Sequence, residues 1–195
     1  APEKIFEALK KHKVSVMHMA PTVLNSLMQY SEQYAPNVDQ DVRVVIAGSA
    51  PPPAFVTRVE KELGWEFIQV YGMTESSPLS TVSTIRSHLK KLPLDQRYRM
   101  KAKAGHQMIG CEVKVINEHG GEVAHNAKEI GEVVVRSNGV MKGYWKNDEA
   151  TMEAIRDGWL HTGDMANVDE YGNIDIVDRK KDIIISGGEN ISSIE

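Results

Sequence analysis

The stretch Glu66-Phe67-Ile68-Gln69-Val70-Tyr71-Gly72-Met73-Thr74-Glu75-Ser76 decides the fold. Residues 66–71 read as a buried strand, because β-branched and aromatic side chains fill it. Gly72 then breaks the run, and Thr74, Glu75 and Ser76 follow with polar side chains. The same pattern recurs upstream. Val42-Arg43-Val44-Val45-Ile46 is β-branched and ends at Gly48, and residues 14–19 read as a short strand. Between the strands the spacing turns helical. Pro2 suits a first turn, with Ile5, Phe6 and Leu9 on one face. Pro21 opens a second helix with Val23, Leu24, Leu27, Met28 and Ser31 in a stripe. After Pro51-Pro52-Pro53, the residues Phe55, Val59 and Leu63 recur every four positions, and Gly64 stands where a helix C-cap wants it. Strand alternating with helix predicts an α/β fold, a parallel sheet with helices on its faces.

Downstream the character changes. Residues 86–103 hold seven Lys/Arg against the single acid Asp95. They read as a solvated surface loop, which needs no partner, ahead of an anion- or coenzyme-facing patch. From Cys111 onward the pattern is mostly β. Val113 and Val115 alternate, Glu118-His119-Gly120-Gly121 is a hairpin-type turn, Val133 and Val135 alternate again, and Ile174 and Ile176 alternate before Ile183-Ile184-Ile185. One helix interrupts, with Asp148 as its expected N-cap. The expected product is a small twisted sheet or distorted β-barrel beside the α/β part. The expected boundaries are 1–85 for the α/β part, 86–177 for the barrel, and 178–195 for a hinge and the start of a further domain.

The chain has 195 residues, 41% of them hydrophobic, and a formal net charge of −4. That composition excludes a disordered tail or a collagen-like repeat, and the acidic balance argues against a nucleic-acid binder. The one cysteine, Cys111, closes no intrachain bridge, so a reducing compartment is expected and a cytoplasmic location follows. No run approaches the ~20 apolar residues that span a bilayer. The opening Ala1-Pro2 and the ending Ile194-Glu195 read as cut ends of a larger protein.

No G-x-G-x-x-G, no G-x-x-x-x-G-K-[ST] and no G-x-S-x-G is present, and the seven histidines show no zinc spacing. Four polar constellations remain, each expected at a strand end. In Tyr71-Gly72-Met73-Thr74-Glu75-Ser76 a hydroxyl can donate to a phosphate oxygen and a carboxylate can hold Mg²⁺, at the carboxyl end of a strand where open sheets bind ligands. An ordinary turn with a Thr/Glu helix cap fits the same stretch. Gly48-Ser49-Ala50-Pro51 leaves room for a flat ring or an acyl chain, and is also what a plain Gly-Pro loop looks like. Gly158-Trp159-Leu160-His161-Thr162-Gly163-Asp164 offers a carboxylate in a tight turn, suited to a ribose diol or to satisfying its own turn. Asp178-Arg179-Lys180-Lys181-Asp182, leading to Gly187-Gly188, fits a solvated hairpin or a linker that orders around a polyanion.

In this order and spacing the four motifs resemble the adenylate-forming superfamily of acyl-CoA synthetases, firefly-type luciferases and peptide synthetase adenylation domains. Gly131-Glu132-Val133, Val140-Met141-Lys142-Gly143-Tyr144-Trp145 and Glu149-Ala150-Thr151 belong to the likeness, which covers essentially the whole chain. The run from Gly158 to Gly188 is its most specific part, and the ending is most like a fatty-acyl or aromatic acyl-CoA ligase. The resemblance implies two steps: a carboxylate and ATP give an acyl-adenylate and pyrophosphate, then coenzyme A forms a thioester. It implies that Tyr71 lies against adenine, Thr74 contacts the α-phosphate and Glu75 helps to hold Mg²⁺, with Thr74 and Glu75 as the catalytic pair. Gly72 and Met73 would complete that nucleotide loop. Asp164 and Arg179 would bind ribose, Ile176 would pack on the base, and Gly48, Ser49, Ala50 and Pro51 would line the adenine and acyl pocket. Lys181 would be the hinge, with Gly187 and Gly188 meeting coenzyme A.

An amino-acid-activating domain and a non-catalytic nucleotide or acyl-CoA sensor are the alternatives. By the same likeness, the family's phosphate loop lies upstream of Ala1 and its adenylation lysine beyond Glu195. The 195-residue chain alone is therefore expected to form no acyl-adenylate. Acyl-AMP made by the pure chain from ATP, Mg²⁺ and fatty acids would overturn this.

Overall fold

The computed structural model describes residues 1–38, 40–48, 51–182, 184–186 and 189–191. They form two compact units, residues 1–70 with 83–102, and residues 71–82 with 103–195. These do not follow the boundaries expected at 85/86 and 177/178. The Tyr71 turn belongs with the β-rich unit, and the basic segment belongs with the α/β unit.

In the first unit, α1 (Pro2–His12) buries Phe6 and Leu9 and ends at Lys13 in the left-handed region. Strands β1 (Val16–Met19), β2 (Arg43–Ile46) and β3 (Glu66–Tyr71) pair in parallel, with Val16 opposite Arg43 and Arg43 opposite Glu66. Helix α2 (Pro21–Tyr34) buries Leu24, Leu27 and Met28 but leaves Val23 exposed. At about 100° per residue, position 23 falls off the 24-27-28 seam. Helix α3 (Pro53–Arg58) widens into a π-helical turn, Val59–Leu63, closed by Gly64 at φ +67°. The widened turn changes the seam, so Val56 and Val59 are buried while Phe55 and Leu63 pack only partly. The core gathers Val44, Ile46, Trp65 and Phe67 around Phe6, whose ring lies 5.8 Å from that of Trp65.

Residues 86–103 are not a loop. They form a 3-10 turn, Ser87–Lys91, and helix α4 (Leu94–Ala102). Tyr98 and Ala102, four residues apart and so on one face, join the first core. Between them, Lys101 pairs with Glu60 outside the helix, and Lys61 of the π-helical turn sits over the Tyr98 ring. Tertiary packing overrides a charge pattern that by itself looks solvated.

In the second unit, Thr81 and Val82 of β4 (Thr81–Ser83) pair antiparallel with β5 (His106–Gln107). The main sheet contains β6 (Cys111–Ile116), β7 (Gly131–Ser137), β9 (Trp159–Val168) and β10 (Ile174–Arg179), with β8 (Ile155–Arg156) added on β9. All its pairings are antiparallel and its order is β10-β9-β7-β6, a curled half-barrel. Val115, Val133, Val135, Leu160, Ala166 and Val168 form its core. The expected turn after β6 is present, with Asn117 N–H donating to the Gly121 carbonyl at 2.8 Å. Helix α5 (Asp148–Ala154) is capped by Asn147, one residue earlier than expected, whose Oδ1 accepts from Ala150 N–H at 3.1 Å. β11 (Ile184–Ser186) and β12 (Glu189–Ile191) form a small antiparallel pair. Among the described residues no helix is long and apolar enough to cross a membrane.

The β9–β10 connection shows how this unit tolerates buried charge. Asp169 accepts from Asn173 N–H at 2.8 Å and from Lys103 Nζ at 2.7 Å. Burial pushes its carboxyl up, yet Lys103 and Asn173 outweigh that and hold it below its usual range. A carboxyl lowered on folding adds stability above its unfolded pKa, about 3.9, and that stability is lost as pH falls through the folded value. Asp169→Asn is expected to cost about 1–3 kcal/mol near neutral pH. In urea melts its gap from wild type should shrink steadily below about pH 4.

Candidate functional site

Strand β3 delivers Tyr71 to a turn that only glycine can make. A Cβ on Gly72 would lie 1.9 Å from the Pro78 carbonyl oxygen. Ser80 N–H closes the turn on the Tyr71 carbonyl at 2.8 Å. Inside it, Ser76 Oγ accepts from Met73 N–H at 3.1 Å and donates to the Met73 carbonyl at 3.0 Å. Thr74–Ser76 make one 3-10 turn, which leaves Thr74 exposed and Glu75 half-buried. Glu75 is held at both ends: Met141 N–H donates to its carbonyl at 2.8 Å, and the Tyr144 hydroxyl donates to Oε1 at 2.9 Å. Desolvation, and then the Glu75 carboxylate, raise the Tyr144 hydroxyl above its ordinary value, so it remains a donor.

Asp164 is not in a tight turn. It lies within β9, whose side chains alternate strictly between partly buried and buried, and it falls on the inward face with Leu160, Thr162, Ala166 and Val168. Between the pairs Glu132–Met165 and Val134–His161, β9 carries three residues, Thr162, Gly163 and Asp164, opposite the single residue Val133. Such a bulge re-aims side chains, and Gly163 provides the positive φ, +72°, that it needs. Thr162 Oγ1 donates to the Val133 carbonyl at 2.8 Å and accepts from Asp164 N–H at 3.1 Å.

Asp164, only 7% exposed, takes up both of its oxygens. The Tyr71 hydroxyl donates to Oδ2 at 2.7 Å, and the Arg179 guanidinium forms an ion pair with Oδ1, Nε lying 2.9 Å away. Burial first, and the Asp164 charge second, push the Tyr71 hydroxyl far above its ordinary range, so it too stays protonated. The expected residues Tyr71, Asp164 and Arg179 thus meet in one cluster. Ile176 packs beside it against the second core, as does Met73. Thr74 and Glu75 belong to a neighbouring set of contacts, with Met141 and Tyr144 as Glu75's partners. Lys181 is exposed in a turn closed by Asp182 N–H on the Arg179 carbonyl at 2.9 Å. In the first unit, Gly48 is exposed after β2 at φ +109° and Pro51 is buried. Ser49, Ala50, Ile183, Gly187 and Gly188 lie outside the described residues.

A second buried carboxylate, Glu132, touches the residue before Asp164, and sequence reasoning did not assign it a role. Its Oε1 accepts from Gly163 N–H at 3.2 Å. Its Oε2 lies 3.2 Å from His161 Nδ1, 3.1 Å from Lys180 Nζ and 3.8 Å from an Arg156 guanidinium nitrogen. Burial raises Glu132, but the His161 and Lys180 contacts outweigh it and hold it below the usual carboxylate range. The available signal was a charge inside the otherwise buried run Gly131–Val135. The cluster borders a groove of about 790 Å³ lined also by Tyr144, Trp145 and Thr162.

The chain is 38% identical to the peroxisomal trans-cinnamate:CoA ligase of Petunia hybrida, over 99% of the chain and 34% of that protein. It is 39% identical to 4-hydroxybutyrate–CoA ligase 2 of Metallosphaera sedula, over 97% of the chain and 34% of that protein. It therefore spans about a third of the length of these curated relatives. The amide bond synthetase McbA from Marinactinospora thermotolerans matches the whole chain, and 37% of its own, with a TM-score of 0.84 at 28% identity. The o-succinylbenzoate CoA synthetase of Bacillus subtilis, in complex with its acyl-adenylate intermediate, matches the whole chain and 37% of its own with a TM-score of 0.81, also at 28% identity. Residues 1–145, which carry the Tyr71 turn and both of Glu75's partners, match the model of the AMP-binding enzymes, and the chain belongs to that family.

Proposed function

We propose that the protein is an AMP-forming acid–thiol ligase, and that this chain supplies its ribose-binding carboxylate and its phosphate-facing turn. The observation that carries the reading is the state of Asp164. Its two oxygens point at two donors, one on a rigid turn and one on an exposed arm, which is the arrangement a vicinal diol can enter by exchanging hydrogen bonds. Tyr71 would then border the base and Arg179 the sugar. Thr74, exposed at the turn, is free to donate to the α-phosphate. The fatty-acid preference expected from the sequence remains part of the proposal. Relatives named for cinnamate, 4-hydroxybutyrate, benzoate and butyrate support small aliphatic and aromatic acids within the same reading. The lone thiol of Cys111 supports a reducing compartment such as the cytoplasm.

In the first step a carboxylate oxygen attacks the α-phosphorus of ATP, the bond to the β-phosphate bridging oxygen breaks, and pyrophosphate leaves. In the second, the sulfur of coenzyme A attacks the acyl carbon, loses its proton, and AMP departs with its phosphate. The residues here bind and orient. Asp164 and Arg179 fix the sugar, so that the α-phosphate is presented to the Thr74 hydroxyl. Mg²⁺ fits Glu75, because that ion takes one or two carboxylates and completes its shell with phosphates and water. Bound there, it would offset charge on the phosphate oxygens. The Tyr144 hydrogen bond leaves the second Glu75 oxygen for that task.

The complete protein should release pyrophosphate, and form acyl-hydroxamates, with at least one acid from a panel of C2 to C16 acids, benzoate, cinnamate and amino acids. Asp164→Ala is expected to raise the KM for ATP about tenfold or more, the weight of charge-assisted hydrogen bonds to a buried carboxylate. Thr74→Ala should lower kcat by about a hundredfold with a smaller change in KM. Absence of pyrophosphate release across the panel would remove the ligase reading, and activity confined to amino acids would favour the amino-acid-activating alternative.

A further inference from the structure

We propose that Glu132 is the positioning residue of the nucleotide-facing arm: by holding the bulged Gly163 and the Lys180 side chain together, it keeps Arg179 on Asp164. The proposal rests on the nucleotide reading above for its functional consequence, and on geometry alone for the anchor itself.

Three neighbouring strands meet on one transverse line. Glu132 of β7 is in register with Met165 of β9, and Met165 with Asp178 of β10. Both ladders lose their regular register at this line, β7–β9 between Glu132 and Val134 and β10–β9 between Ile176 and Asp178. Irregular pairing leaves backbone groups that need other partners. Glu132 supplies one, since its Oε1 accepts the Gly163 amide at 3.2 Å. The arm supplies another, since Lys180 N–H donates to the Gly163 carbonyl at 2.8 Å. Gly163, the residue before Asp164, is thereby pinned on both sides.

The backbone of the arm is held by the β10–β9 ladder, with Arg179 opposite Asp164, and by Arg179 N–H on Asp178 Oδ1 at 2.7 Å; its side chains are held less. Arg179 is the last residue of β10, and its side chain is 59% exposed. A well-exposed guanidinium paired with a carboxylate contributes little to order by itself. Arg179, the last strand residue, reaches Asp164, and Lys180, the first residue of the turn after it, reaches Glu132 at 3.1 Å. The two carboxylates grip neighbouring residues of one arm. Glu132 is the more heavily partnered anchor: it is about as buried as Asp164, and it also meets His161 and Arg156. A carboxylate this buried is costly without such partners.

The test uses AMP as the probe and amide hydrogen exchange as a readout that needs no ligand. Lys180→Met keeps the length of the stem and removes the charge. It should weaken AMP about fivefold in the wild-type background and not further in an Arg179→Met background, because it acts through Arg179. Lys180→Arg should restore most of the loss. Without AMP, the Lys180 and Asp182 amides should exchange faster in Lys180→Met and in Glu132→Gln, while Val135 and Leu160 in the core stay at wild-type rates. An equal loss of AMP affinity in both backgrounds would overturn the proposal, as would unchanged exchange in the arm. If wild type binds no AMP, the nucleotide reading fails on its own, and the exchange rates alone then uphold or overturn the anchor.

Discussion

A carboxylate sealed into the wall of a β-sheet constrains everything around it. Asp164 faces inward on β9 among Leu160, Ala166 and Val168, where an unpaired charge would cost several kcal/mol. Its position is tolerable only because a phenol and a guanidinium converge on it, and each donor is fixed by a different part of the second unit. Tyr71 is set by a turn that excludes any side chain at Gly72. Arg179 is set by a strand end tied to Gly163 and Glu132. Loosening either contact leaves Asp164 with an unmet oxygen, so the cluster behaves as one object and its members are not separable contributions.

The same constraint explains why the Tyr71 turn belongs to the second unit although β3 belongs to the first. The segment 71–82 forms its contacts with that unit: Tyr71 to Asp164, the Glu75 carbonyl to Met141, the Glu75 carboxylate to Tyr144, and Thr81 Oγ1 to the Ala104 carbonyl at 2.7 Å. The Tyr71–Asp164–Arg179 cluster and the Thr74–Glu75 turn therefore sit on a single framework. Their mutual geometry is built within one unit.

The regular elements were legible because local periodicity and core packing agree there. The strand 66–71 matches its expected bounds, and the faces of α1 and α2 follow from the spacing of Phe6, Leu9, Leu24, Leu27 and Met28. Legibility failed where a distant partner decides. Nothing local in residues 94–102 says helix, since Lys101 needs Glu60 and Tyr98 needs the first core. The motif ending in Asp164 was read as a tight turn, and the backbone there is a strand. Gly163 suggests a turn, and only the pairing with Val133 turns the same glycine into a bulge inside a ten-residue strand. Glu132 escaped because its role lies in what it touches across two strands.

The two halves of the site differ in how they are held, and the difference has a chemical sense. The half proposed to face the sugar is buried and saturated: Asp164, Thr162 and Tyr71 have their polar groups engaged with one another or with backbone. The half proposed to face the phosphates is open, with Thr74 exposed and the Glu75 carboxylate steadied through one oxygen. A diol is neutral and gains most from fixed donors and acceptors already in place, since little reorganisation accompanies its binding. Phosphates bring charge that changes during the reaction, and a hydroxyl and a carboxylate on a short exposed turn can meet that charge together with water and a cation. On the proposed reading, rigidity serves recognition of the nucleoside, and adjustable groups stand where bonds would be made and broken.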